Sequence, residues 1–403
     1  MVNGLDSSNN VFSMLSWFKA QKVNDAKVLV AGAGALGNEV LKNLALFGVG
    51  NIVIVDYDIV ERSNLTRSIL FRMDDVYDKS NKAVVAAQRI KEINPAVHVL
   101  PIADNLENGV GLGIYRRMDV IISCLDSLQS RILLNRLCYR AGKIWIDGAI
   151  GDLEGQASVY QPGKSCYECN LTDEEKSDFD KRISCAGVVR MNESAGRVAT
   201  TPVSASIIAA IQVQEAMKII HQDEYDSNAF STLTGKLFAY EGLHPSFDIY
   251  DFASYDKHCT AHEPWDPIVE IPELSADTKL HQALQIIKNH LGVESVEINL
   301  RNNKFVDKIG SRIMNQSFTP MQPESKIQAY INQSQEMRDI QANEGFYQNS
   351  FENIDENFQY LYFTLKQTGI PYFDVIQVST EKGVFYVELS KDKKIYERFI
   401  TYS

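Results

Sequence analysis

The chain has 403 residues and a formal net charge of −12, with 45% hydrophobic and 23% charged residues. This length predicts one large domain with a substantial core plus a smaller domain. The acidic balance argues against a broadly basic nucleic-acid surface. No apolar stretch reaches the roughly 20 residues of a membrane span, and the polar N-terminus lacks a basic signal-peptide region. We expect a cytoplasmic protein that binds neither nucleic acid nor membrane, with six cysteines that serve as ligands, nucleophiles or core residues.

Residues 11–24 carry apolar side chains that predict a short helix packed on the main domain. A predicted strand over residues 28–31 then leads into Gly32, Gly34 and Gly37, which form G-x-G-x-x-G before a helical pattern. Such glycines permit a tight turn, close approach of phosphate to the backbone, and close helix–strand packing. A second strand, residues 52–55, ends in Asp56, 19 residues after Gly37, where a carboxylate can bond a ribose hydroxyl. On its own the motif also fits a nicotinamide-dependent oxidoreductase.

The polar stretch after Asp56 favours another class of nucleotide enzyme. It resembles the ubiquitin-activating family, which includes the adenylyltransferases of molybdopterin and thiamin sulfur carriers. The family pattern is approximately D-x-D-x-[IV]-x-x-S-N-L-x-R-x-x-L-F. The matching residues here are Asp56, Asp58, Val60, Ser63, Asn64, Leu65, Arg67, Leu70 and Phe71. The resemblance implies an ATP-binding adenylation domain.

Further along the chain, strands and helices alternate. We predict a helix over 75–94, a strand over 97–100, a strand over 119–124, a helix over 129–141 and a strand over 143–147. This order predicts an α/β fold with a doubly wound, largely parallel, Rossmann-like sheet. Lys82, near the start of the first of these helices, is our choice for the family's phosphate-binding lysine, with Lys79 as the fallback.

Asp126 follows the fourth predicted strand, at the sheet edge where open α/β sheets bind ligands. The competing interpretation is an N-cap for helix 129–141. Asp126, Ser127 and Arg131 match a second family motif, which implies that Asp126 binds magnesium and the ATP phosphates. By resemblance, Arg67 and Asp126 are catalytic, and the nucleotide-binding set is Gly32, Gly34, Ala35, Gly37, Asp56, Asp58, Ser63, Asn64, Arg67, Lys82, Asp126 and Ser127.

Two cysteine-containing pairs predict a metal site. Cys166 and Cys169 form C-x-x-C, and Cys259 with His262 supplies a second pair of the same spacing. Three thiolates and one imidazole suit tetrahedral structural zinc, and His258 is the rival imidazole. The alternatives are a redox-active C-x-x-C or four unrelated residues.

Cys185 lies among the basic residues Lys181, Arg182 and Arg190, which can lower a thiol pKa. A single cysteine in an apolar setting is otherwise a core residue. The family places a reactive cysteine in the corresponding crossover loop, so the resemblance implies a thioester on Cys185. Residues 200–218 resemble the family's helix after this loop, and residues 206–220, which carry few charges, are expected to be buried or to lie at a dimer interface.

Prolines near Trp265 indicate a linker. Beyond it we predict a strand over 269–271, a helix over 276–291, a hairpin of strands 296–300 and 304–306, and a partly mobile insertion over 311–350. This order faintly resembles the ubiquitin-fold domain that docks a conjugating enzyme; an accessory or dimerisation domain is the alternative. We divide the chain into an N-terminal helical segment (1–24), an adenylation domain with the zinc site (25–263) and a smaller α+β domain (264–403).

The resemblance implies a homodimeric enzyme that uses ATP, Mg²⁺ and structural Zn²⁺ to adenylate a ubiquitin-like protein ending in glycine. It then implies a thioester on Cys185 and transfer to a conjugating enzyme. The alternatives are a sulfur-carrier adenylyltransferase, a nicotinamide-dependent oxidoreductase and an inactive binding scaffold. The family usually has an N-terminal arginine that reaches the partner's nucleotide, whereas no arginine precedes Arg62 here.

Overall fold

A computed structural model describes residues 11–172, 175, 200–224, 231–306, 313–315 and 349–400. Cys185 and nearly all of the predicted insertion over 311–350 lie outside these ranges. In the first sheet and its helices the elements are α1 (Ala20–Asp25), β1 (Lys27–Ala31), α2 (Ala35–Phe47), β2 (Asn51–Val55), α3 (Met73–Tyr77), α4 (Lys82–Ile93), β3 (His98–Ile102), α5 (Leu112–Tyr115), β4 (Val120–Ser123), α6 (Leu128–Ala141), β5 (Trp145–Ile150), β6 (Glu154–Tyr160), α7 (Pro202–His221), β7 (Lys236–Glu241) and β8 (Ser246–Asp251).

The first sheet has the order β3-β2-β1-β4-β5-β6-β7-β8. The pairs from β3 to β5 are parallel, and those from β5 to β8 are antiparallel. The chain runs outward from β1 to β3 and then returns to place β4 on the other side of β1. This reversal confirms the doubly wound fold and puts a crevice at the carboxyl ends of β1 and β4, where such sheets bind ligands.

Helices cover both faces of this sheet. One hydrophobic core lies under α2, α4 and α7, and a second lies under α5 and α6. The expectation that no apolar stretch reaches the length of a membrane span is wrong for helix α7, which is long and apolar enough to cross a membrane. However, 61% of that stretch is buried inside the protein, as in a core helix. Within the described ranges it is the one helix of that length and composition.

Two predicted helices are interrupted in the structure. The helix expected over 75–94 is two helices, because the Asp75 side chain accepts from the Arg72 amide at the start of α3 and Asn81 caps α4. Lys79, at φ 49°, lies in the turn between them. The helix expected over 11–24 is a 3-10 helix, Val11–Met14, followed by α1, since the intervening chain turns Phe18 into the core.

The second sheet contains β9 (Ile268–Ile271), β10 (Glu297–Val306), β11 (Ile313–Asn315), β12 (Asn349–Ile354), β13 (Val375–Thr380) and β14 (Gly383–Leu389). Its order is β11-β10-β13-β14-β9, with β12 also on β10, and its helices are α8 (Leu280–Leu291) and α9 (Glu397–Ile400). The hairpin predicted around residues 302–303 is wrong. Strand β10 runs straight through them, because pairing with β12 continues on both sides of a register shift.

The two sheets share a core rather than being joined by an exposed linker. Trp265 is only 4% exposed and stacks on Tyr386 of β14 at 4.9 Å between ring centroids. Phe373, fully buried, packs against α5 in the same core. Arg116 and Arg117, after α5, pair with the buried carboxylate of Glu388 on β14. The proline-marked stretch is therefore part of a packed interface.

Candidate nucleotide site and metal centre

The glycine-rich loop lies between β1 and α2, at the crevice. Gly32 adopts φ +95°, and a Cβ there would lie 2.6 Å from the Cys124 carbonyl oxygen. A Cβ on Gly37 would lie 2.1 Å from the Gly32 carbonyl oxygen. Gly34, the residue that precedes α2, has nothing within 4 Å of its Cβ position. Gly32 and Gly37 are therefore required by the fold, whereas Gly34 borders open space beside a helix N-terminus, where an anion can bind.

Asp56 fixes the loop to the end of β2. Its carboxylate accepts hydrogen bonds from the Ala33 amide at 2.7 Å and the Asp58 amide at 2.8 Å. Burial raises the pKa of Asp56, and the Lys82 ammonium opposes that rise. Asn81 donates from its side chain to the Asp56 carbonyl oxygen at 2.9 Å. Hydrogen bonds to Ala33, Asp58 and Asn81 thus fix the position of Asp56.

Lys82, at the start of α4, points towards the carboxylates of Asp56 and Asp58. Its Nζ lies 2.9 Å from Asp58 Oδ2, and the residue is only 9% exposed. Burial lowers the pKa of Lys82, but Asp56 and Asp58 outweigh it, so the pKa is raised and the ammonium stays charged. Lys79, the fallback, is exposed in the turn before α4. The structure therefore puts Lys82, and not Lys79, beside Asp56 and Asp58.

Asp126 lies at the carboxyl end of β4. The N-cap of α6 is Ser127, whose Oγ accepts from the Ser130 amide at 3.2 Å, so the interpretation of Asp126 as the cap is wrong. Asp126 is exposed and makes no hydrogen bond among the described residues, but its charge raises the pKa of both Lys82 and Arg131. Arg131 donates to the Leu125 carbonyl oxygen at 2.7 Å and holds this turn in place. Asp126 is therefore an exposed carboxylate at this sheet edge, near enough to Lys82 to act on its charge.

Arg67 and Asn64 lie on a separate segment that contains a 3-10 helix, Arg62–Thr66. Asn64 is buried and accepts from the Glu61 amide at 2.8 Å, so its side chain serves the local turn. Arg67 donates to the Ser63 carbonyl oxygen at 2.8 Å and is half-buried. Ser63 is exposed. Within the described residues, no hydrogen bond or ion pair joins Asn64 or Arg67 to Lys82 or Asp126.

Sequence reasoning missed the two asparagines that hold these segments together. Asn81 both caps α4 and bonds the backbone of Asp56 and Asp58. Asn38, fully buried on α2, bonds the glycine-rich loop and the segment that follows Arg67. Asn81 lies inside the helix that the apolar spacing predicts over 75–94, so the preference of asparagine for the N-cap position is the one signal that could have indicated its role.

The second constellation is the cysteine–histidine cluster. Cys166 Sγ lies 3.7 Å from Cys169 Sγ and 3.8 Å from Cys259 Sγ, and Cys169 Sγ lies 3.5 Å from His262 Nε2. A tetrahedral zinc ion with Zn–S distances of about 2.3 Å and Zn–N of about 2.0 Å separates its sulfur ligands by about 3.8 Å, and sulfur from nitrogen by about 3.5 Å. The four ligand atoms all lie within 4.8 Å of one another. The cluster therefore fits zinc.

The surroundings of the cluster keep its ligands in place. The His262 ring stacks between Tyr139 and Tyr255, at 4.8 Å and 4.4 Å between centroids. Burial lowers the pKa of His262, which favours the neutral ring that binds metals. His258, the rival imidazole, is exposed and outside the cluster. The cluster joins the chain after β6 to the chain after β8.

Comparison of the chain with known proteins identifies its family. A family model described as the ThiF family matches residues 8–261, and the chain belongs to that family. Similar proteins include the SAMP-activating enzyme E1 of Haloferax volcanii, 32% identical, with 55% of this chain and 75% of that protein covered. Another is a probable molybdopterin-synthase adenylyltransferase of Porphyra purpurea, 33% identical, with 57% and 55% covered.

The SUMO-activating enzyme subunit uba-2 of Caenorhabditis elegans is 37% identical over 159 residues, which is 39% of this chain and 27% of that protein. The matches thus span between about a quarter and three quarters of the length of these three relatives. Among solved structures, Escherichia coli MccB with AMPCPP and MccA is similar, at 25% identity and TM-score 0.48, with 60% of this chain and 68% of that chain covered.

Proposed function

We propose that this protein uses ATP to adenylate the C-terminal glycine of a ubiquitin-like protein. One observation carries the proposal. Asp56, Asp58 and Lys82 meet beside a glycine-rich loop at the point where the strand order of a doubly wound sheet reverses, and Asp126 follows β4 at the same sheet edge. The names of the relatives, which include activating enzymes and adenylyltransferases, support the same class of reaction. A nicotinamide enzyme would leave Lys82 and Asp126 without a role.

In the proposed reaction, the terminal carboxylate of the modifier attacks the α-phosphorus of ATP. The bond to the β-phosphate oxygen breaks, and pyrophosphate leaves with the electron pair. A carboxylate and a triphosphate repel each other, so the site must neutralise charge and hold the two groups in line. Lys82 and Arg67 supply positive charge, and Asp56 bonds the ribose. Lys82 reaches the phosphates by exchanging its pairing with Asp58 for one with ATP.

Two metal ions enter the proposal with different roles. Asp126 is the residue that would hold the Mg²⁺ that accompanies ATP, because it is an exposed carboxylate near Lys82. The bound ion would supply further charge neutralisation at the phosphates. Zn²⁺ at the cysteine–histidine cluster is structural, since all four tetrahedral positions are filled by side chains.

We propose further that Cys185 attacks the acyl-adenylate, forms a thioester and releases AMP, and that a conjugating enzyme then takes the acyl group. Cys185 lies outside the described residues, and this step rests on its basic neighbours in the sequence. The second candidate is adenylation of a sulfur carrier without a protein thioester, which the molybdopterin-type relative favours. A homodimer completes the proposal.

The experiment is exchange of labelled pyrophosphate into ATP with a panel of ubiquitin-like and sulfur-carrier proteins that end in Gly-Gly. We expect exchange with at least one of them, and a fall of about 100-fold in Lys82→Ala because one preorganised charge is lost from the transition state. Lys79→Ala is the matched control and should behave as the wild type. Exchange that survives in Lys82→Ala, or its absence with every substrate, contradicts the proposal.

The same reaction separates the two candidates. A modifier-activating enzyme gives a reductant-sensitive adduct that disappears in Cys185→Ala and persists in Cys138→Ala, since Cys138 is a buried core residue of α6. A sulfur-carrier enzyme exchanges pyrophosphate equally well in both variants and gives no such adduct.

A further inference from the structure

Asn38 on α2 makes hydrogen bonds to two of the segments around the crevice. Its side-chain amide donates to the Ala33 carbonyl oxygen at 2.7 Å and to the Gly34 carbonyl oxygen at 3.0 Å. Its Oδ1 accepts from the Leu70 amide at 2.8 Å. The residue is 0% exposed, and both amide hydrogens are used. An asparagine buried with this many partners has one orientation, because turning the amide over would face Nδ2 with the Leu70 N–H.

These hydrogen bonds link three segments around the crevice. The Ala33 amide donates to Asp56, the Ala33 carbonyl accepts from Asn38, and Asn38 accepts from Leu70. The connection thus runs from the end of β2, through the glycine-rich loop, to the segment that carries Arg67 three residues before Leu70. Leu70 itself is 4% exposed in the core under α2, which anchors the far end. No other described side chain bonds both the loop and this segment.

We propose that Asn38 is a positioning residue for ATP, which sets the distance between the glycine-rich loop and Arg67. This inference rests on the proposed role of Arg67 at the phosphates. Without the Asn38 side chain, the Ala33 carbonyl oxygen and the Leu70 amide lose their partners in a buried place, whereas the Gly34 carbonyl oxygen keeps the Asn38 backbone amide at 2.9 Å. The Ala33 and Leu70 groups must move to recover partners. A shift of about 1 Å in a positioning contact is enough to cost about 100-fold in rate.

The test measures ATP dissociation constants and pyrophosphate-exchange kinetics for Asn38→Ala, Arg67→Ala and the double variant. We expect Asn38→Ala to raise KM and Kd for ATP about tenfold and to lower kcat as well. In the Arg67→Ala background the same change should cost less than about threefold, because residues that act through one another are not additive. Merely structural damage would lower the concentration of active enzyme, leave KM unchanged and act additively.

Asn94→Ala is the matched control. Asn94 is equally an asparagine buried against α2, and it donates to the Ala45 carbonyl oxygen at 3.0 Å while accepting from the Ala96 amide at 3.1 Å. It lies at the opposite end of that helix from the crevice. Its loss should lower the free energy of unfolding by an amount similar to Asn38→Ala and leave Kd for ATP within twofold of the wild type.

Asn38→Asp replaces Asn38→Ala if the alanine variant does not fold, since it keeps the acceptor for Leu70 and loses the two donors. An unchanged Kd for ATP in whichever variant folds, or full additivity with Arg67→Ala, overturns the proposal. Because ATP binding is measured separately, a wild-type protein that binds ATP without exchanging pyrophosphate contradicts the proposed function and still leaves Asn38 tested.

Discussion

Gly34 and Gly37 belong to one motif but are needed for different reasons. The carbonyl oxygen of Gly32 lies where a Cβ on Gly37 would be, whereas the corresponding position at Gly34 is open. We expect Gly37→Ala to lower the free energy of unfolding by about 1–3 kcal/mol through overpacking. Gly34→Ala should change it by less than about 0.5 kcal/mol and weaken ATP binding at least tenfold, since the methyl group fills the space left for phosphate. Urea unfolding and ATP titration of both variants separate the two effects, and equal ATP affinity in Gly34→Ala would contradict this assignment.

Glu381, in the turn between β13 and β14, makes a pH-dependent contribution to the stability of the protein. Its carboxylate accepts from the amides of Glu294 and Ser295, which lowers its pKa to about 2. A depressed folded-state pKa stabilises the protein above the usual glutamate pKa, and that stabilisation is lost as pH falls from about 4.5 to 2. We expect Glu381→Gln to be less stable than the wild type at pH 7, with a difference that vanishes near pH 2. A carboxyl resonance of Glu381 that titrates near 4.5 would refute this.

At the scale of elements, the sequence predicted what depends on local periodicity. The parallel strands and the helices α2, α4, α6 and α7 follow from apolar spacing and flanking glycines. The break between α3 and α4 could not be predicted from spacing, because Asn81 ends the pattern by capping rather than by a change of hydrophobicity. Strand β10 continues past Asn302 and Asn303, which fall in the register shift between Asn299 and Lys304, because pairing with β12 resumes beyond them.

The residues of the candidate nucleotide site could be predicted from the sequence, but the hydrogen bonds that join them could not. The motifs indicated Asp56, Lys82 and Asp126, since each motif is local in sequence. The roles of Asn38 and Asn81 depend on which backbone groups the fold brings to them, and no spacing encodes that. Whether Ser127 or Asp126 caps α6 depends on a difference of one residue in where the helix begins. Sequence patterns do not define helix ends that finely.

The cysteine–histidine cluster is the element whose removal should be most visible. We expect about one zinc ion per chain, and a strong chelator should remove it and lower the melting temperature, because metal binding contributes to folding. Cys259→Ser should lose the metal, whereas Cys138→Ala, also a cysteine substitution in this domain, should retain it. Elemental analysis and calorimetry measure both. A chelated protein that melts as the untreated one would show that the cluster does not stabilise the fold.

At the scale of the whole molecule, the two sheets should unfold together. Glu388 is fully buried between Arg116 and Arg117, and Trp265 and Phe373 complete a core common to both sheets. We expect a single calorimetric transition in the wild type. Glu388→Gln should destabilise the protein by about 3 kcal/mol, because Arg116 and Arg117 lose their buried carboxylate and keep only the more exposed one of Glu270. The same change should separate the transition into two.

Glu356→Gln is the comparison for that variant. Glu356 forms an exposed pair with Lys288 inside the second sheet's domain, and such pairs contribute less than about 1 kcal/mol. It should melt in one transition at nearly the wild-type temperature. Two transitions already present in the wild type would mean that the shared core does not couple the sheets.

The burial of Trp265 and Phe373 has a consequence for how this protein can be divided. The family match ends at residue 261, yet the layer beneath α5 and α6 is completed by side chains more than 100 residues later in the chain, such as Phe373, Val375 and Tyr396. The residues that match the family model are therefore fewer than the residues that complete this core. A fragment trimmed to residues 8–261 would expose a large apolar surface and aggregate, so biochemical work on that region requires the later residues to be present.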